Sequence, residues 1–377
     1  MTRQVIRTMK EMELVYYGTP GSIEIAKSDD PYGTGTTGIY SILYGAKVWS
    51  QLNQEANIFA ALPKIPWDHS GFRVMTARPG AVGTGLDGGV AEDGTLPETT
   101  KGTFAEVYQK PKLVAHNFDV NEMMMELAGK DDTIGDPLAV GKEETGKHHI
   151  EMMNRMLLRD VDDVGTASST DAQARVIESI DRVISGYAEK DIVSDESDVD
   201  IYNLDRHTAA TNYDSYIDEN DDVDRELTLT MIDSAFTAMQ ERGGTPKIIV
   251  TGYDTIARIQ QLARSERRIV SERAVVPTYN GIKGLPGIDG GFVVSFWNGV
   301  PIIPSKDVTK DTLSRIYFID TDYLKIKVLK PTQYFEAGIK TGNPFAINKF
   351  AQEGMYRTMA ELICTFPRAQ AKIRDLQ

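Results

Sequence analysis

Two stretches carry the spacing of nucleotide-binding loops, and each fails where the chemistry is most demanding. Gly33-Thr34-Gly35-Thr36-Thr37-Gly38 has the G-x-G-x-x-G spacing of a dinucleotide site. That site needs a buried strand turning into a helix N-terminus. Ser28-Asp29-Asp30-Pro31-Tyr32 precedes it and is loop sequence, so the stretch reads as part of a flexible arm. Gly141-Lys142-Glu143-Glu144-Thr145-Gly146-Lys147 follows the phosphate-loop pattern to its last position. His148 stands where Ser or Thr would hold magnesium, and two glutamates sit where phosphate would lie. The stretch reads as the exposed first turn of a long helix.

Metal chemistry fares no better. His148 and His149 are adjacent, so on a helix they point about 100° apart. With Glu144 and Glu151 they read as a solvated polar face. His69, His116 and His207 have no ligand-spaced partners. Asp218-Glu219-Asn220-Asp221-Asp222 begins like a calcium loop, but Val223 and Leu229 occupy the positions that need Gly and Glu. No local signature of a nucleophilic triad is present. No catalytic, cofactor or metal residue is therefore assigned.

The elements that would position such residues form an α+β chain. Phe72 to Arg78 and Thr103 to Tyr108 are the arms of a hairpin-like stretch, and the return arm continues through Val114, His116, Phe118 and Val120 with period-two alternation. Between the arms, Pro79 to Gly102 is rich in Gly, Thr, Asp and Pro and cannot bury a core of its own. It is expected to become ordered only against neighbouring subunits. Residues 39–61 hold an amphipathic helix pattern. A helix is expected from Gly141 to Val164 on the stripe Ile150, Met153, Leu157, Val161 and Val164. A second, capped by Ser168, Ser169 or Thr170, is expected on Val176, Ile177, Ile180, Val183, Ile184 and Tyr187. Asp191 to Glu226 is acidic with no stripe to bury, and reads as an exposed insertion outside the core. Helices follow over Ile232–Met239 and Asp254–Arg264, and strands over 247–251, 292–297, 301–303, 315–319, 323–329 and 356–366.

Composition excludes several classes. The 377 residues carry 41 Lys plus Arg against 55 Asp plus Glu, a net charge of −14. A chain that grips nucleic acid or anionic membrane as its main task needs the opposite balance. One cysteine, Cys364, rules out an internal disulfide, and its apolar flanks mark it as a buried small hydrophobe. No apolar run approaches the ~20 residues that span a membrane, and no signal peptide is visible at the start.

The order of elements resembles the major capsid proteins of tailed viruses, phage or archaeal, which share the Hong Kong phage fold. The segments that carry the resemblance are Ala91 to Pro97 with Thr103 to Tyr108, Asn298-Gly299-Val300-Pro301-Ile302-Ile303-Pro304-Ser305, Ile316 to Asp320, and Gly354 through Pro367. The resemblance implies an N-terminal arm and lead-in helix (1–70), an extended loop (71–120), a peripheral domain with a spine helix (121–165), an axial domain (166–323) holding the acidic segment 191–226, and a return to the peripheral domain (324–377). It implies a structural protein, not an enzyme, that self-assembles as hexamers and pentamers into an icosahedral shell around double-stranded DNA. Arg73, Arg78, Glu92, Lys101 and Glu106 are the implied inter-subunit contact candidates. Scaffolding, portal and minor capsid proteins are implied partners, packaged DNA is contacted only weakly, and no membrane is involved. The location is the virion capsid, assembled in host cytoplasm. No cleaved N-terminal scaffolding segment is expected, and Lys101 with Asn343 or Asn348 lacks an identifiable acid for a covalent cross-link. The alternatives are an encapsulin-like compartment shell of the same fold and a nucleotide-dependent enzyme using Gly141 to Lys147.

Overall fold

In a computed structural model the described residues are 57–77, 92–94, 101–128, 136–163, 176–265, 271–278, 281–283, 292–340 and 349–377, with the backbone path alone at 57, 265, 271–278, 281–283 and 292–294. The N-terminal arm with Gly33–Gly38, Arg78, most of Pro79–Gly102, the caps at 168–170, and Asn343 and Asn348 lie outside the described residues.

The elements run α1 (Asn57–Ala61), β1 (Lys64–Pro66), β2 (Gly71–Ala77), β3 (Thr103–Tyr108), β4 (Lys112–Asn121), α2 (Glu122–Ala128), α3 (Pro137–Leu157), α4 (Ile180–Val183), β5 (Tyr216–Asp218), α5 (Leu229–Glu241), β6 (Ile248–Thr251), α6 (Tyr253–Ser265), β7 (Ser271–Thr278), β8 (Gly281–Lys283), β9 (Phe292–Trp297), β10 (Val300–Pro304), β11 (Ile316–Ile319), β12 (Leu324–Gly338), β13 (Ala351–Cys364) and β14 (Ala371–Ile373). Residues 1–54, 115–150 and 332–357 form one compact unit, and 55–114, 151–331 and 358–377 a second.

The second unit is built on an eight-stranded sheet in the order β5-β14-β11-β6-β10-β9-β7-β8. Its centre is β6 and β11, each buried at all four positions because both faces are covered. Alternation divides their side chains. Ile248, Val250, Tyr317 and Ile319 enter one apolar cluster. Ile249, Ile316 and Phe318 enter another with Ile232, Ala235, Phe236 and Met239 of α5. Each such fully buried aliphatic side chain contributes about 1.5–3 kcal/mol. Thr228 caps α5 by accepting the Met231 N–H, as the stripe required. Asn298 and Gly299, both at positive φ, make the two-residue turn that pairs Trp297 with Val300. The C-terminal strand β14 lies between β11 and β5, with Ile373 opposite Ile316 and Ala371 opposite Tyr216. The chain end thus completes this sheet.

Two expectations fail in this unit. The predicted second helix is only the four residues of α4, capped by Ser179. Arg206, fully buried, explains the early stop: its guanidinium donates to the carbonyls of Arg182, Val183 and Ser185, which a continuing helix would have used itself, and to that of Val199. The acidic segment 191–226 is not an insertion outside the core. Val193, Val199, Ile201, Tyr202, Leu204, Arg206 and Tyr213 are all buried. It packs as irregular chain, so its apolar residues show no period, and acids such as Asp195 and Asp205 accept N–H groups of their own turns.

The first unit has a small apolar cluster, Phe118, Val120 and Met124, flanked by Leu138 and Tyr334. It contains parts of β4, β12, β13 and α3, while β1-β12-β13-β4 is the order of the four-stranded sheet those strands belong to. The expected helix 141–164 begins and ends earlier, at Pro137 and Leu157. Ile150 is exposed; the buried positions include Gly141, Thr145, His149, Met153 and Leu157 at four-residue spacing. The phosphate-loop glycines lie inside this helix. A Cβ on Gly141 would come within 2.8 Å of the Phe118 ring, and one on Gly146 within 3.3 Å of Tyr356. Their role is close approach between helix and strand.

Candidate assembly surface

The hairpin is two-stranded, and its return arm does not continue into β4 in the same sheet as the sequence suggested: β2 and β3 pair alone. Lys110 and Pro111 separate β3 from β4, and proline withholds the N–H a ladder needs. The register sets Phe72 against Val107, Arg73 against Glu106, Val74 against Ala105 and Met75 against Phe104. Opposed residues share a face. The face with Phe72, Val74, Ala105 and Val107 packs on the core of its own unit. Backbone bonds fix its base, from Tyr108 N to Tyr202 O (3.1 Å), Gln109 N to Ser70 O (2.6 Å) and Asn212 N to Thr76 O (2.7 Å).

The other face is open. Phe104 is 60% exposed and Tyr108 53%. Between them Arg73 Nη2 meets Glu106 Oε1 at 3.0 Å, with both side chains about three-quarters exposed. Such a pair contributes at most ~1 kcal/mol in water. It therefore explains little of the hairpin's stability and leaves a mixed apolar and charged face available to a partner. Of the sequence candidates, Arg73 and Glu106 come together here, and Glu92 and Lys101 are exposed elsewhere on the same excursion. Phe104 and Tyr108 were missed as contacts, although period two already placed them on the face of Glu106.

Residues 123–377 match the SU10 major capsid protein family. The chain belongs to that family. This major capsid protein has the Hong Kong phage fold, and it is a structural protein of a virion capsid that associates with its own copies. It is similar to the capsid asymmetric unit of cyanophage A-1(L), with a TM-score of 0.59 and 14% identity over 87% of this chain and 94% of that one. It is also similar to a structure from Microbacterium phage Oxtober96, with a TM-score of 0.50 and 12% identity over 88% and 94%. Likeness to the SrpI encapsulin of Synechococcus elongatus has a TM-score of 0.49 at 11% identity, over 88% and 93%, and carries no argument between shells. Comparison with curated proteins finds no match.

Two further groups in the capsid protein were not assigned as sites from the sequence. In the second unit, Arg315 donates to Asp181 (2.8 Å), Asp160 (3.2 Å) and Asp311 (2.9 Å). Lys372 bridges Asp181 (3.1 Å) and Glu189 (2.5 Å), and Arg374 meets Glu189 at 2.7 Å. Asp181, Glu189 and Lys372 are completely buried. Burial opposes charge at Asp181, but Lys372 and Arg315 outweigh it and hold the carboxyl well below the usual range. This network ties β14 to α4 and β11.

In the first unit the expected solvated histidine face is corrected. His149 is fully buried, and its Nδ1 lies 2.8 Å from Nδ1 of His116 on β4. Both positions were legible: His116 alternates with Val114, Phe118 and Val120, and His149 falls in the four-residue spacing of Thr145 and Met153. Asp200, Asp205 and His207 also cluster, with His207 Nδ1 bonded to Asp200 at 2.9 Å. Cys364 is buried, and burial pushes its thiol up to about 12, which makes it inert as a nucleophile.

Proposed function

We propose that this protein forms hexamers and pentamers that close into an icosahedral shell around double-stranded DNA. The observation that carries the reading is the hairpin's open face, two large exposed aromatics flanking an ion pair on a ribbon anchored only by its other side. A two-stranded ribbon is marginal alone, and an exposed apolar patch on an ordered strand marks an interaction surface. The arm and the extended loop 71–120 clasp neighbouring subunits, the unit with α3 acts as the peripheral domain, and the unit with the eight-stranded sheet meets its copies around the symmetry axes. Many modest interfaces then add up to a stable shell. Assembly takes place in the host cytoplasm with scaffolding and portal proteins, and the net charge of −14 keeps contact with the packaged DNA weak.

Electron microscopy of the expressed protein tests the reading. Shells, tubes or ring-shaped capsomers are expected; monodisperse monomer at high concentration overturns it. Replacing Phe104 and Tyr108 together by Ala is expected to abolish particles while leaving subunit stability within about 0.5 kcal/mol, as for surface positions. Undiminished assembly by that variant refutes the role of the hairpin face.

A further inference from the structure

We propose that His116 and His149 form an acid-operated clasp between β4 and α3, neutral when it holds strand to helix and charged when it releases them. The His116 ring stands edge-on to both partners, with centroids 4.9 Å from His148 and 5.1 Å from His149. Its Nδ1 is 2.8 Å from that of His149. One of those nitrogens must donate and the other accept, so the bond exists only while at least one ring is neutral. Two nitrogens bound tetrahedrally to one zinc would stand about 3.3 Å apart, given Zn–N lengths near 2.0–2.1 Å. The closer spacing is that of a hydrogen bond.

The surroundings favour the neutral form. The Tyr356 ring stacks over His149 at 6.2 Å, admitted there by Gly146. Burial first, then His116 and His148, lowers the pKa of His149 to about 4, and burial with His148 lowers that of His116. Other ionisable groups stand on the packed elements. On α3, Glu143 pairs with Lys147, Lys142 lies over the Tyr334 ring, and Glu144 stands one turn before His148. On β4, Asp119 pairs with Lys349, which also reaches Glu353 of β13. On β12, the Tyr334 hydroxyl donates to Glu336.

A base whose folded pKa is depressed adds stability that is complete above its unfolded value and is lost as pH falls through the folded one. Here that window runs from 6.5 down to about 4. Each pH unit within it shifts the opening equilibrium about tenfold through His149.

Hydrogen exchange on the full-length protein at about pH 7.5 and 5.0, corrected for intrinsic rates, tests the clasp. Peptides covering 115–121 and 141–150 are expected to lose roughly 30-fold or more in protection at the lower pH, while those covering 248–251 and 316–319 keep theirs. His116→Gln and His148→Gln should each shrink the acid loss, the second without changing protection at pH 7.5; if the first does not fold, the second, at a half-exposed position, decides alone. Equal protection at both pH values, or an acid loss unchanged in the variants, overturns the proposal.

Discussion

The two units bury ionisable groups in opposite ways. In the second, Arg315, Lys372 and Arg374 interleave with Asp160, Asp181, Glu189 and Asp311, so each charge faces its opposite. In the first, three imidazoles meet whose charged forms repel. Interleaving keeps groups ionised despite burial, whereas like groups must stay neutral to remain buried. The pH consequence differs accordingly. Asp181, held below its usual 3.8, adds stability above that value and loses it only as pH falls further. The histidines begin to lose theirs below 6.5. Between those limits only the first unit is expected to loosen.

The largest test breaks the charge-complementary side. Lys372→Met removes the ammonium from between Asp181 and Glu189 and leaves both carboxylates buried with less compensation. Breaking a buried pair on one side costs about 3–5 kcal/mol. An unfolding free energy lowered by that amount, measured by urea titration, is expected. A loss under 1 kcal/mol would mean that water reaches the network and that the contrast between the units is smaller than the geometry implies.

How much of this the sequence disclosed follows from how far each signal reaches along the chain. Strands β6, β9, β10 and β11, helix α5 and helix α6 were legible because their apolar periods are local. The capsid architecture was legible from the order of elements. The salt-bridge network was not, because Asp181 meets Lys372 across 191 positions and Arg315 across 134. The helix expected over 176–187 failed for a related reason: its residues are buried on every side, so the stripe did not distinguish helix from buried irregular chain, and Arg206 competes for its carbonyls. His149 was readable but was assigned by residue type to the polar face, against its place in the four-residue spacing. Of the five contact candidates, the structure joins Arg73 with Glu106; the aromatic pair beside them was overlooked because charge was weighed above exposure.

A smaller effect sharpens the histidine side. Gly141→Ala places a Cβ 2.8 Å from the Phe118 ring, which a Cβ on Gly354 would also meet, at 2.6 Å, so the ring has little room to retreat. Overpacking costs about 1–3 kcal/mol, offset by about 1 kcal/mol of helix propensity. A net loss near 1 kcal/mol is expected, restored by adding Phe118→Leu. Since the same approach of α3 to β4 brings His116 to His149, Gly141→Ala should also weaken the acid response of peptides covering 141–150. Thermal denaturation together with exchange at two pH values measures both. A stabilised variant would show that the ring has room and that the helix is not held by this contact.

The smallest effect probes a third way of burying charge. Glu361 is 1% exposed, and its Oε1 accepts the N–H groups of Glu178 (2.9 Å) and Leu362 (3.0 Å). Burial first, and Glu178 beside it second, raise its pKa well above the ordinary 4.5, while Lys112 at 3.8 Å is too distant to reverse that rise. An acid whose folded pKa is raised adds stability below its unfolded value and loses it as pH climbs through the folded one. Glu361→Gln keeps the accepting oxygen and has no proton to lose. The variant should therefore match the wild type near pH 4.5 and exceed it in stability at pH 8. Denaturant titrations at the two pH values decide. If the variant is instead less stable at pH 8, Glu361 acts as the anion for Lys112, and this pocket belongs with the interleaved charges around Asp181 rather than with the neutral histidines.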